Sequence, residues 1–458
     1  MLPFVGPSYT LSVRQASTQN AVNLYLQTME TPSKAAYIMR KVPGLSLLAD
    51  LGSPIRGAIC AANRSFFVAG PTLYEISGSA ATARGTLTSA TGEVGMAWGT
   101  TQLVITDGAT GYVLTLASNA FAQITGPDWP GSTKVDYLNG FFVLSPPDSQ
   151  QFYVTSIDDA SNIDALDYAS AEAKPDGIVG HIVSSQRLYL LGERTLEVWF
   201  PSDGPDFPFA RSSGETVDVG CIAAWSIRAL DLGFAWIGRD ENGAGMVYRV
   251  AGGPPQRIST TAVEEALQGS SDLASATAWV YQDHGQTFYA INAPGLSSTW
   301  VYEVSSNAWH ERADLDPVGQ FTQHRVTHHI YNGGHIVGGS DGVVYQLSRD
   351  VYTFGGDPIV CERTSPHYAT PARDVVRYSE FVLDCLTGEA ASGEPMAELS
   401  WSNDGGATFG NPEPRSVGAL GNRFQRLVWH RLGRAVDRVW RLRFSADAPF
   451  AIVSGVAR

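Results

Sequence analysis

Long apolar runs, paired cysteines, lysine and helical periodicity are all scarce in this 458-residue chain, and each scarcity removes a class of protein. No run of about 18 apolar residues occurs, and MLPFVGPSYT has no basic region leading into an apolar one, so we expect neither a membrane span nor a signal peptide. The cysteines, Cys60, Cys221, Cys361 and Cys385, have no C-x-x-C spacing, which leaves no zinc knuckle or redox pair and favours reduced thiols in β structure. HExxH, GxSxG, a P-loop and a Rossmann glycine fingerprint are absent as well, so no nucleophile can be nominated and no enzyme is expected. No cofactor or metal follows from the sequence.

Glycine and proline are plentiful, with 47 and 25 residues, and 44% of the chain is hydrophobic, a composition of many short strands rather than of disorder. Net charge is −14, unevenly placed. Between Arg415 and Arg443, eight arginines face only Asp437, so that window carries +7 and the rest −21. An acidic majority argues against gripping nucleic acid, because phosphate affinity comes from cations that release counterions. Arginine outnumbers lysine 27 to 4, so part of the basic window is compositional bias.

From about residue 51 to 355, apolar alternating runs separated by tight turns recur roughly every 40 to 50 residues, the period of β-propeller blades. Examples are IRGAICAANRSFFVAGPTLYEI and GHIVSSQRLYLLGERTLEVWF. Six or seven blades are expected. One helix stands out, Thr261 to Gln268, with capping-box spacing between Thr261 and Glu264. Residues 1–50 read as an N-terminal arm whose AVNLYLQTM segment is a candidate ring-closing strand. Residues 356–458 read as a β-sandwich, with strands at Tyr378–Leu386, Ala397–Ser402, Phe424–Arg431 and Arg438–Phe444. The fold class expected is therefore all-β, a propeller followed by a C-terminal sandwich.

Candidate chemistry is thin. SNDGGATF fits the Asp-box turn of sialidase-like propellers through Ser402, Asp404, Gly406, Thr408 and Phe409, where the aspartate and glycine organise a hairpin loop rather than a reaction. Asp158, Asp159, Asp164 and Asp167 have the acid density of a calcium loop without its glycine and final glutamate, and read as a solvated loop. His324, His328, His329 and His335 are the nearest thing to a metal cluster, but two residues four apart on a strand lie about 13 Å apart, too far for one ion. Arg423, Arg426, Arg431, Arg434, Arg441 and Arg443 admit three readings: a salt-bridging interface with an acidic neighbouring subunit, a solvated face, or a nucleic-acid patch.

Three ordered stretches resemble the packaged-DNA stabilisation or tail-nozzle family of short-tailed bacteriophages. The first, Ile163 to Phe200, is similar to the family's blade junction through Glu172, Pro175, Asp176, Gly177 and Glu197. The second runs from Met246 to Leu267, where a blade strand leads into the helix. The third joins the Asp-box to a Trp-x-Arg-x-Gly-Arg strand at Trp429, Arg431, Gly433 and Arg434. The resemblance implies a structural virion protein of the phage tail, made in the host cytoplasm and without membrane insertion. It also implies a homohexameric ring below the portal and adaptor, with a tail needle or plug, tailspikes or fibres as partners and genomic DNA passing through the lumen. The rival reading is a carbohydrate-binding or carbohydrate-processing propeller, with Trp129 or Trp199 as a stacking platform.

Overall fold

The computed structural model describes residues 4–31, 34–172, 174–202, 204, 207–241 and 243–458. Parts of the N-terminal arm, at 1–3 and 32–33, thus lie outside the described residues, as does Ala173 of the blade junction.

Blade one shows why these sequences form blades. Its strands Ile55–Ala61, Arg64–Ala69, Thr72–Ser77 and Ala80–Thr86 form an antiparallel meander. The first turn places Ala62 and Asn63 at φ 49° and 60°, the left-handed geometry a two-residue hairpin needs. Alternation along the second strand then serves two neighbours at once. Phe66 and Val68 pack with Leu103 and Ile105 of blade two, whereas Phe67 and Ala69 pack with Ile330 and Val344 of the last blade. Each fully buried phenylalanine contributes about 1.5–3 kcal/mol, so blades cohere through shared cores rather than alone.

Among the described residues, seven blades complete the ring. Their sheets span residues 55–86, 95–123, 134–170, 178–211, 220–257, 277–315 and, for the seventh, 326–348. The seventh blade takes its fourth strand, Gly44–Asp50, from the N-terminal arm, antiparallel to Val343–Ser348. Gly44 is required there, since a Cβ would lie 2.4 Å from the Val351 carbonyl oxygen. The closing strand is therefore not the AVNLYLQTM segment expected from the sequence.

That segment instead builds the sandwich. One sandwich sheet has the strand order Thr18–Val22, Cys361–Thr364, Asp437–Phe444, Met396–Ser402, Glu413–Ser416, and the other Leu24–Thr28, Tyr37–Lys41, Ala451–Ala457, Glu380–Cys385, Leu427–His430. The chain changes sheet at Asn23, fully buried with φ 55°. Asparagine tolerates this backbone, and its amide donates to Ala313 O (2.8 Å) and Val360 O (2.9 Å) while Oδ1 accepts from Ala313 N (3.0 Å). Residues 18–41 thus belong with the C-terminal strands, and a sequence division at 50 and 356 places them in the wrong unit. Propeller and sandwich share hydrogen bonds too, because Val22 pairs in parallel with Glu311 on the outer strand of blade six.

One strand start differs from expectation. The strand expected from Phe424 begins at Leu427, and Phe424 stands on a loop, 98% exposed. Val439 is buried although alternation sets it on the same strand face as Arg441 and Arg443. The helix does span Thr261–Gln268, but Thr260 precedes it without a side-chain cap, and Glu264 bonds Arg257 Nε (2.6 Å) and Ser259 Oγ (2.5 Å) instead of closing a capping box. All four cysteines are free thiols. Among the described residues, no helix is long and apolar enough to cross a membrane.

Candidate interaction surfaces and the propeller axis

The inner strands of the blades converge on a cavity of about 350 Å³, lined in part by Met96, Lys134, Asp136, Trp225, Arg228, Trp279 and His328. Polar groups fill this axis. Lys134 Nζ donates to the carbonyls of Ala224 (3.3 Å) and Ile227 (3.4 Å), and Arg228 Nε to Ala278 O (2.6 Å). His328 Nε2 lies 2.9 Å from Glu93 Oε2, and His181 Nε2 lies 3.7 Å from Asp136 Oδ2. Burial pushes the Asp136 carboxyl up and the Lys134 ammonium down, each partly offset by the other's charge. The His181 imidazole is pushed down to about 3 by burial and by Lys134, so it is neutral. A cavity of this size, crossed by charged side chains, does not pass a duplex. Apart from His328, these residues escaped the sequence reading because they are spread over five blades, and only ring closure brings them together.

The Asp-box is a self-contained turn. Asp404 accepts from Thr408 N (3.0 Å) and Thr408 Oγ1 (2.5 Å), and Ser402 Oγ donates to Asp404 Oδ1 (2.5 Å) and accepts from Gly406 N (2.9 Å). These donors hold the Asp404 carboxyl well below its usual range. At Gly406, φ is 85° and a Cβ would lie 3.0 Å from Thr18, so the turn seats on the N-terminal arm. Phe409 lies under the Arg441 guanidinium, 3.9 Å from ring centroid to Cζ.

The blade junction is a lock between a loop and a hairpin. Asp176, buried, accepts from the backbone of Arg194 (2.8 Å) and Thr195 (3.0 Å) and from Thr195 Oγ1 (3.1 Å). Gly192 makes room, since a Cβ there would lie 2.5 Å from Asp176 Oδ2. Gly177 O accepts from Glu193 N (3.2 Å) beside it. Glu197 is buried with Trp199 Nε1 3.2 Å from its carboxylate, whereas Glu172 and Pro175 are exposed. The five residues therefore do not form one site.

Nor do the six arginines form one surface. Arg443 Nε donates to Glu362 (2.7 Å), and Arg441 is half-buried with Nε 3.2 Å from Ser400 Oγ. Both serve contacts within the chain. Arg423 pairs with Glu389 at 3.2 Å and shares an exposed loop with Arg426 and Phe424. Arg431 and Arg434 lie beyond the other end of the Leu427–His430 strand, exposed and without an ion-pair partner among the described residues. Arg438 is buried between the rings of Tyr378 (4.9 Å) and Trp440 (4.8 Å).

The histidines part company as well. His324 faces Asp314 (3.2 Å), His328 faces Glu93, and His329 bonds His335 (3.0 Å). Among the described residues no three His, Cys, Asp or Glu side chains gather as a metal site would need. Trp199 is 7% exposed, and Trp129 is half-buried over Gly111 with its Nε1 bonded to Ala109 O (3.0 Å), so neither offers a free stacking face.

Comparison with known proteins gives two family-model matches in chain order: bacteriophage P22 Gp10, beta-propeller, over residues 3–352, and bacteriophage P22 Gp10, beta-sandwich, over 367–458. No curated protein matches. Among solved structures, the Neurospora crassa Pan2 WD40 domain is similar at 9% identity and a TM-score of 0.44, covering 70% of this chain and 98% of that one. YCF48 from Cyanidioschyzon merolae is similar at 14% identity and a TM-score of 0.43, covering 67% and 98%.

Proposed function

The chain belongs to the bacteriophage P22 Gp10 family, structural proteins of the phage tail and virion, and from that premise we propose that it is the tail nozzle. In this reading six copies form a ring below the portal and its adaptor, extend the DNA channel, help to retain packaged DNA, and offer attachment points to a needle or plug and to tailspikes or fibres. The chain is made in the host cytoplasm, catalyses no reaction and inserts in no membrane.

The observation that carries the reading is the pair of family matches, which together cover nearly the whole chain in order. The filled propeller axis refines it: DNA travels between subunits, through the lumen of the ring, rather than down any propeller. A chain of net charge −14 lets a duplex slide without holding it. Electron microscopy of the purified protein, alone and with portal and adaptor, tests the reading. A sixfold ring capping the adaptor is expected, and a chain that stays monomeric and never joins that complex overturns it.

A further inference from the structure

The sandwich carries a basic ribbon that nothing in its own chain neutralises. Val376–Arg377 pairs antiparallel with Arg434–Ala435, and the register sets Arg377 directly opposite Arg434. Like charges in that relation repel. Arg373 and Arg431 flank the ribbon, all four arginines are exposed, and none has a hydrogen-bond or ion-pair partner for its guanidinium among the described residues. Asp374, the carboxylate nearest in sequence, pairs with none of them. Val375, 61% exposed, and Val436, 41% exposed, lie among these charges.

A complementary surface stands on blade three, in the loop between its third and fourth strands. Ile157 and Leu166 are exposed there at 67% and 78%, and Tyr168, which opens the fourth strand, at 38%. Asp158, Asp164 and Asp167 stand among them without a cationic partner. Burial first, and then the neighbouring Asp164 charge, push the Asp167 carboxyl up, and a cation seated there offsets both. The sandwich joins the ring at blade six, three blades from this loop in a ring of seven, so the two surfaces belong to opposite sides of the propeller.

We propose that the Arg373/Arg377/Arg431/Arg434 ribbon of one copy docks on the Ile157–Tyr168 loop of the next. Two different surfaces on opposite sides make a head-to-tail contact, which closes into a ring when the rotation allows. Arginine suits it, because its planar fork pairs with carboxylates in two places at once. The exposed valines favour protein over phosphate, since a DNA backbone offers them nothing to bury against. This inference rests on the ring reading above and assigns its contact.

The test uses the full chain in two exposed charge-reversal variants, Arg431→Glu with Arg434→Glu, and Asp164→Arg with Asp167→Arg. Native mass spectrometry reads assembly of each, alone and with the portal and adaptor complex, and thermal melts check folding. Each variant alone is expected to lose the ring that the wild type forms. An equimolar mixture is expected to regain it with both variants in equal proportion, because reversed ribbon meets reversed loop and native ribbon meets native loop. Variants that assemble like the wild type at every salt concentration overturn this contact and leave the ring reading standing. A mixture that regains nothing, or arginine variants that lose only duplex binding, also overturns it. A wild type that never assembles sinks both.

Discussion

Arg363 shows what one residue does for an arm that crosses the molecule. Fully buried and without a carboxylate, it donates from Nε to Phe4 O (2.7 Å) and from Nη1 to Pro7 O (3.0 Å) and Asn20 O (2.8 Å), tying residues 4–20 to the sandwich sheet. A fixed fork of five donors fills that role where lysine cannot. Replacing it with methionine keeps the packing and strands three carbonyls, at a cost of about 3 kcal/mol. We expect Arg363→Met to lower the melting temperature and to expose the arm to limited proteolysis before the propeller. Equal protease resistance in variant and wild type would count against the latch. Asn23 acts similarly at the change of sheet, where Asn23→Gly keeps the left-handed backbone but forfeits three hydrogen bonds. A loss of about 2 kcal/mol is expected for it in denaturant titration.

At the scale of the element, the seventh blade is the weak point of the ring, because its fourth strand comes from a distant part of the chain. Gly44→Ala drives a Cβ toward the Val351 and Thr353 carbonyls, at 2.4 and 2.6 Å, where backbone must move. Hydrogen exchange in Gly44–Asp50 and Val343–Ser348 should rise first, with blades two to five unchanged. A uniform rise across all blades would show that closure is not a separate unit. Much of this level was legible in the sequence: period-2 alternation and turn residues marked the blades, and apolar spacing marked Thr261–Gln268. The capping box was misread because Glu264 has a stronger partner in Arg257. AVNLYLQTM was assigned to the wrong sheet because alternation fixes a strand but not its neighbour. The basic ribbon stayed hidden for the same reason. Arg373 and Arg377 lie outside the +7 window, and only the pairing of Arg377 with Arg434 unites them with it.

For the whole molecule, buried imidazoles set the response to acid. His181 and His329 are each pushed down to about 3 by burial and a neighbouring group, and burial and Arg312 push His310 lower than its ordinary value. In the unfolded chain each titrates near 6.5. Above that pH both states are neutral and stability is intact. As pH falls below it, the unfolded chain takes up protons that the folded one refuses, and stability drops. By pH 5 each such histidine costs about 2 kcal/mol. Asp136 and Glu311, whose carboxyls are raised by burial, act in the opposite direction, gaining stability as they protonate. The histidines begin to titrate at higher pH, so they set the sign near pH 6. Thermal melts of the assembled protein between pH 7.5 and 5 should therefore show a falling transition, shallower in His181→Gln. Because His181 stands at the axis beside Asp136, that variant also reports on the packing of the axis. A melting temperature that does not change over this range would mean that the axial cavity admits water enough to solvate a charged imidazole.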